Sequence, residues 1–138
     1  DIDTKTQNRL LGEAYFLRAH YYFLLVRLFG GVPLQTEPAD SNSDLLLPRA
    51  TVDEIYALII DDLQQAVARL PQRSSYTASQ IGRATKEAAL SELARVYLTY
   101  HPEQHYEQVV ELCDQIGSMG YTLADNYAWT CCANGDSD

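Results

Sequence analysis

The side chains that could supply nucleophilic, acid–base or metal-binding chemistry include three histidines and three cysteines. His101 and His105 have the i, i+4 spacing of a zinc-binding helix, but a proline lies between them and the glutamate is one position late for an HExxH motif. Cys113 lies on an apolar helix face without a basic neighbour in sequence. Cys131 and Cys132 are adjacent, which suits neither a common disulfide nor a CxxC zinc site. We predict solvated imidazoles, a buried Cys113, no bound metal or cofactor, and no enzymatic activity.

Carboxylates give two further patterns that we considered as sites. Asp40, Asn42 and Asp44 alternate like the start of a calcium-binding loop, but the glycine and distal glutamate of that loop are missing. Asp61 and Asp62 are neighbours on a predicted helix, where adjacent side chains point about 100° apart and rarely act jointly. We interpret the second pair as part of a solvated helix face.

Ligand binding by stacking and hydrogen bonding would need an aromatic side chain beside amide or charged groups. Trp129 with Tyr127 and Asn126 forms one such grouping, and Tyr76 with Arg73 forms a second. The alternative for Trp129 is that it packs against the last helices. These five residues are the candidate ligand-binding residues of the chain.

Helical periodicity covers most of the sequence and gives an all-α fold. We expect one helical domain, residues 1–138, with helices at about 4–29, 51–70, 85–100 and 103–119 joined by long loops. The last two helices follow a degenerate tetratricopeptide pattern, with an extended turn between them. The predicted architecture is a tetratricopeptide-like, right-handed array of about four helices.

The first helix contains two neighbouring apolar rows and ends at Gly30, Gly31 and Pro33. The apolar stripe is therefore wide, and we expect both rows to be packed and the helix to be buried on more than one side. The first row is Leu10, Ala14, Leu17, Tyr21, Leu24 and Leu28, and the second is Leu11, Tyr15, Tyr22, Leu25 and Phe29.

In the other helices one apolar face dominates. In the second helix we expect the buried face to be Ile55, Ile59, Leu63, Ala66, Val67 and Leu70. In the second helix, Thr51 and Glu54 form a capping box. In the last pair, Leu93, Ala94 and Tyr97 match the large–small–aromatic pattern of a first repeat helix, and Val109, Cys113 and Ile116 take the inward positions of the second. Leu45, Leu46 and Leu47 are expected to fold the long loop back onto the helices.

The chain has 138 residues and a net charge of −9, with a pI of about 4.6, which disfavours a nucleic-acid partner. No apolar run reaches transmembrane length. The first ten residues have neither the pattern of a signal peptide nor a lipid-attachment cysteine. Any membrane association would therefore depend on a lipid anchor that this sequence does not contain.

Two segments resemble signature segments of the SusD/RagB family, the SusD-like lipoproteins of Bacteroidetes-type bacteria. They are EAYFLRAHYYFLLVRLFGGVPL, which contains the LRA triplet, paired aromatics and FGGVP, and RATKEAALSELARVYL, which follows later. The resemblance spans nearly all of this chain and corresponds to an N-terminal, tetratricopeptide-like portion of a family member.

The resemblance implies a nutrient-capture protein on the surface of the outer membrane, lipid-anchored in its precursor. It implies oligo- or polysaccharide binding and a SusC-like TonB-dependent transporter as partner, with this portion serving mainly as scaffold and transporter contact. The alternative is a generic tetratricopeptide-like adaptor that binds another protein, which would leave FGGVP unexplained.

Overall fold

The computed structural model describes residues 2–38 and 46–123 and confirms the all-α prediction within them. The four α-helices are α1 (Thr4–Phe29), α2 (Val52–Arg69), α3 (Lys86–Thr99) and α4 (Pro102–Ser118). Two single-turn 3₁₀ helices, Arg73–Ser75 and Ala78–Gln80, connect α2 to α3. The helices pack largely in chain order: α2 lies between α1 and α3, and α4 packs on α3.

Side-chain caps fix where the first three helices begin. Asp3 Oδ1 accepts a hydrogen bond from the Thr6 amide at 2.9 Å. The predicted capping box is present, because the Glu54 amide donates to Thr51 Oγ1 at 3.2 Å and the Thr51 amide donates to Glu54 Oε2 at 2.8 Å. At the start of α3, Thr85 Oγ1 accepts a hydrogen bond from the Ala88 amide at 3.2 Å. Each cap satisfies an amide that has no partner within its helix.

The core forms between one face of α1 and the facing sides of α2 and α3. Four residues of α1 contribute to it, and we call them the inner row: Ala19, Tyr22, Phe23 and Val26. They pack with Ile55, Ile59 and Leu63 of α2 and with Leu93, Val96 and Tyr97 of α3. The faces predicted for α2 and α3 are therefore the buried ones.

The prediction that both apolar rows of α1 are buried was wrong for most of their residues. Leu10, Leu17, Tyr21, Leu24 and Leu28, which we call the outer row, are exposed in the structure, as are Leu11, Leu25 and Phe29 of the second row. The inner row also follows three- and four-residue spacing, and it begins two turns after Gly12. A Cβ at Gly12 would lie 3.0 Å from the Leu70 side chain, so α1 meets the end of α2 on this side at close range.

The prediction that Cys113 is buried was also wrong, because this residue is exposed. Within the described part of the chain, α4 contacts mainly α3, so only a narrow strip of α4 is covered. Val109 and Leu112 lie on that strip, while Tyr106 and Val110 point to solvent.

The loop after α1 is closed at its neck by backbone contacts. Pro33 and Arg49 form an antiparallel bridge, and the Ala50 amide donates to the Val32 carbonyl at 3.0 Å. Arg49 also donates through Nη2 to the Phe29 carbonyl at 2.8 Å and through Nε to the Gly31 carbonyl at 2.7 Å. A cation at the carboxyl end of a helix is favourable because unpaired carbonyls meet there.

The two glycines of the FGGVP segment are each required for a different physical reason. Gly30 has a φ of +68°, which is favourable only for glycine. A Cβ at Gly31 would lie 2.3 Å from the Ala50 carbonyl oxygen, so a side chain there would push the two sides of the neck apart. We expected the leucines of this loop to fold it back onto the helices. That prediction is wrong for Leu46, because its side chain is exposed.

Candidate functional site

An open cleft of about 750 Å³, which we call the α1–α2 cleft, lies where the start of α1 meets the end of α2. One wall is the first turns of α1, and the other walls are the end of α2 and the two 3₁₀ helices. Its polar and aromatic lining includes Lys5, Asn8, Arg9, Arg69, Tyr76 and Gln80. This volume is typical of a small-ligand site, and the lining residues are more polar than is usual for one.

Tyr76 lies where two cavities meet. It lines the α1–α2 cleft and also a smaller cavity of about 290 Å³, which includes Arg73, so the structure brings these two predicted site residues to one wall. The Tyr76 hydroxyl donates to the Ala84 carbonyl at 2.8 Å, which fixes the ring. Burial raises the pKa of the Tyr76 phenol, so it stays a protonated donor at neutral pH.

Arg73 is held by its backbone. Its amide donates to the Glu87 carboxylate at 3.1 and 3.2 Å, and Glu87 is buried at the start of α3. The Arg73 side chain is exposed beside the smaller cavity. This places a guanidinium at the rim of a cavity that has Tyr76 in its wall.

The other predicted site residues, Trp129, Tyr127 and Asn126, lie outside the described residues. The Asp40–Asp44 pattern and Cys131 and Cys132 lie outside them as well. These interpretations stay predictions.

The sequence interpretation missed most of the cleft lining. Lys5, Asn8 and Arg9 occupy the polar start of α1, while Arg69 comes from α2 and Gln80 from a 3₁₀ turn. No motif joins three separate segments, so only the packing of α1 on α2 reveals that they share a cavity. The signal available in the sequence was the concentration of amide and cationic residues in the first nine positions.

Asp62 corrects the interpretation of the Asp61–Asp62 pair as a solvated face. The Asp62 side chain is fully buried and accepts two hydrogen bonds from Arg18, each at 2.7 Å. The hydrogen bond to Asp62 raises the pKa of Arg18 above its already high value, so the guanidinium stays charged. This fork-to-fork ion pair joins α1 to α2 and has a structural role.

The histidines also lie in structural contacts. His20 lies 3.1 Å from the buried Glu92 carboxylate, linking α1 to α3. His105 stacks on Tyr97 with ring centroids 4.4 Å apart, so the prediction of two solvated imidazoles was wrong for His105. His101 is exposed, with a φ of +52° in the turn before α4.

No helix in the described part of the chain is long and apolar enough to cross a bilayer. Across residues 2–38 and 46–123, no group of three or more His, Cys, Asp or Glu side chains comes together in a way that could hold a metal ion.

Comparison with known proteins gives consistent matches. Residues 2–98 match the SusD-like_3 family model, described as "Starch-binding associating with outer membrane". SusD-like protein P25 of Formosa agariphila is 32% identical over 128 residues, which cover 92% of this chain and 23% of that relative.

Solved structures agree with the sequence matches. A SusD homolog from Bacteroides thetaiotaomicron superposes with a TM-score of 0.82 and 31% identity over 99% of this chain and 28% of that one. A structure described as a laminarin-binding SusD-like protein gives a TM-score of 0.80 and 31% identity over 94% of this chain and 28% of its own. The chain thus spans about a quarter of the length of these relatives.

Proposed function

Because this chain belongs to the SusD/RagB family of SusD-like proteins, we propose that it is part of a glycan-binding, nutrient-capture lipoprotein on the surface of the outer membrane. The observation that supports this most is the family match over residues 2–98, which includes α1, the loop neck, α2 and most of α3. One relative of similar fold is described as laminarin-binding, and we extend glycan binding to this protein by proposal.

In this proposal the segment is mainly a scaffold. The Arg18–Asp62 ion pair, the contact between His20 and Glu92, and the inner row fix α1 against α2 and α3. The short connection Arg73–Gln80 is attached to that frame. A rigid helical frame lets loop residues meet a sugar in one geometry. We also propose a SusC-like TonB-dependent transporter as the partner, with helices of this segment contributing to the contact.

Glycan contact would come from aromatic side chains beside amide and charged groups. We propose Trp129, Tyr127 and Asn126 as one contact group and Tyr76 with Arg73 as the other. An aromatic ring packs on the apolar C–H face of a sugar, and the polar neighbours bond its hydroxyls. Binding without chemical conversion of the glycan is the proposed activity.

A titration with laminarin tests the glycan proposal directly. Trp129 is the single tryptophan of the chain, so its fluorescence reports on that group alone. We expect a saturable change in emission. Calorimetry with the Tyr76→Phe and Tyr127→Ala variants would then show how much each of the two groups contributes to the affinity for laminarin. The proposal would be contradicted if laminarin, xyloglucan and starch oligosaccharides and acidic oligosaccharides all failed to bind.

Capture of partners from detergent-solubilised outer membranes tests the rest of it. We expect a TonB-dependent transporter to be retained by the tagged protein, and surface labelling of intact cells to reach it. Recovery of a cytosolic protein as the sole stable partner would contradict the transporter proposal and support the adaptor alternative.

A further inference from the structure

The α1–α2 cleft has a charge opposite to that of the protein as a whole. The chain carries a net charge of −9, yet Lys5, Arg9 and Arg69 all line this cleft. The acidic residue among its lining, Asp3, already accepts the Thr6 amide as a helix cap. A cationic cleft on an acidic protein attracts a negatively charged ligand group.

Arg9 is the cation in this cleft whose hydrogen bonding is incomplete. Its Nε is buried without a hydrogen-bond partner, and the nearest carboxylate oxygen, Glu13 Oε1, is 3.8 Å away. Glu13 is already engaged, because Arg83 donates to both of its oxygens at 3.0 and 3.1 Å. Because Nε is inaccessible, a ligand in the cleft would contact the outer nitrogens of the Arg9 guanidinium, whose charge is poorly compensated by the long ion pair with Glu13.

The second guanidinium of the cleft is positioned in advance. Arg69 donates to the Gln65 carbonyl at 3.2 Å and to the Gln65 side chain, and its Cζ lies 5.3 Å from the centre of the Tyr15 ring. These contacts fix the guanidinium while leaving it in the cleft wall. A fixed cation costs less conformational entropy when a ligand binds.

The rest of the lining suits a sugar better than a bare anion. Tyr76 presents a ring fixed by its bond to Ala84, and Asn8 and Gln80 present amides. An aromatic ring and amides recognise the apolar face and hydroxyls of a sugar, while guanidinium groups recognise a carboxylate or sulfate.

We propose that the α1–α2 cleft binds a sugar residue bearing a carboxylate or sulfate, with Arg9 as the principal contact to that anionic group. The proposal rests on the glycan-binding function proposed above and adds a preference for acidic glycans. Lys5 and Arg69 supply the surrounding positive charge, and Tyr76 contacts the ring of the sugar.

Calorimetry with three matched trisaccharides tests this preference: galactotriose, trigalacturonic acid and a sulfated galactotriose. We expect at least one acidic trisaccharide to bind about tenfold or more tightly than the neutral one, since a charge-assisted hydrogen bond is worth at least that factor. Arg9→Gln should abolish the preference. Arg27→Gln removes the same charge from the exposed side of α1 and should leave the preference unchanged.

The remaining outcomes separate the two proposals. Equal affinity for neutral and acidic sugars, or an unchanged preference in Arg9→Gln, would overturn the cleft assignment while glycan binding stands. Laminarin binding without binding of any trisaccharide would do the same, and failure of every glycan would overturn both. Inorganic sulfate that binds as tightly as the sulfated sugar would reveal a free-anion site and refute sugar recognition. A melting curve for Arg9→Gln shows whether that variant is folded. If it is not, Lys5→Gln serves as the second variant for the same test.

Discussion

The two sides of α1 are both apolar and lie in opposite surroundings. Its inner row is buried against α2 and α3, whereas its outer row, four leucines and a tyrosine at similar helical spacing, faces solvent. What distinguishes the inner side is what accompanies the apolar residues: the small residues Gly12 and Ala19, which permit close approach, and Arg18, which reaches a buried carboxylate. Close packing and polar pairing therefore decide which face becomes core.

We expect the largest difference in stability between the two sides of α1 when one phenylalanine on each side is replaced by alanine. Phe23 is 1% exposed and Phe29 is 61% exposed. Phe23→Ala should lower the free energy of unfolding by about 4 kcal/mol, through lost burial and the cavity left behind. Phe29→Ala should change it by only about 0.5 kcal/mol. Urea unfolding measures both, and similar losses would show that the outer side is packed in solution.

The ion pair offers the next test, again with a matched neighbour. Asp62→Ala removes the buried partner of Arg18 and should cost about 3 kcal/mol, at the low end for a buried pair because Arg18 remains partly hydrated. Asp61→Ala deletes an exposed carboxylate one position earlier and should stay within about 0.5 kcal/mol. Unfolding curves that fail to separate the two variants would refute the role given to Asp62.

The end of α1 repeats the comparison on a smaller scale. Gly31→Ala introduces a Cβ against the Ala50 carbonyl and should cost about 2 kcal/mol, as overpacking does. Gly30→Ala meets no atom within 4 Å, and its cost of about 1 kcal/mol comes from the positive φ alone. Hydrogen exchange at the Ala50 amide should accelerate more in Gly31→Ala than in Gly30→Ala. The reverse order would mean that the neck accommodates the added Cβ at Gly31 at little cost in stability.

Sequence patterns predicted the helices and the buried faces of α2 and α3 because each of these has one dominant apolar row and recognisable caps. They failed on α1 because two rows there satisfy the same three- and four-residue spacing, and periodicity does not rank them. Gly12 and Ala19, seven positions apart, were the available sign of close packing.

The polar contacts and the cleft were beyond sequence reasoning for a different reason. Arg18 and Asp62 are 44 positions apart, and the cleft lining comes from three segments. Contacts of that kind depend on how helices dock, which local spacing does not specify. Tyr76 and Arg73 could be grouped from the sequence because they lie on a short connection, which keeps them close in space, and their role in binding stays a prediction.

The closed neck after α1 makes the chain beyond it a place for insertion. Pro33 and Arg49 pair across the neck, and the residues that follow Pro33 are also anchored, because the Gln35 amide donates to the Tyr22 hydroxyl at 2.7 Å and Arg18 donates to the Thr36 carbonyl at 3.3 Å. Each doubling of the length of a flexible insert adds only about 0.6 kcal/mol to the entropy cost of closing a loop. Evolution, or an engineer, can therefore splice extra chain in between Thr36 and Pro48 and keep the helical frame in register.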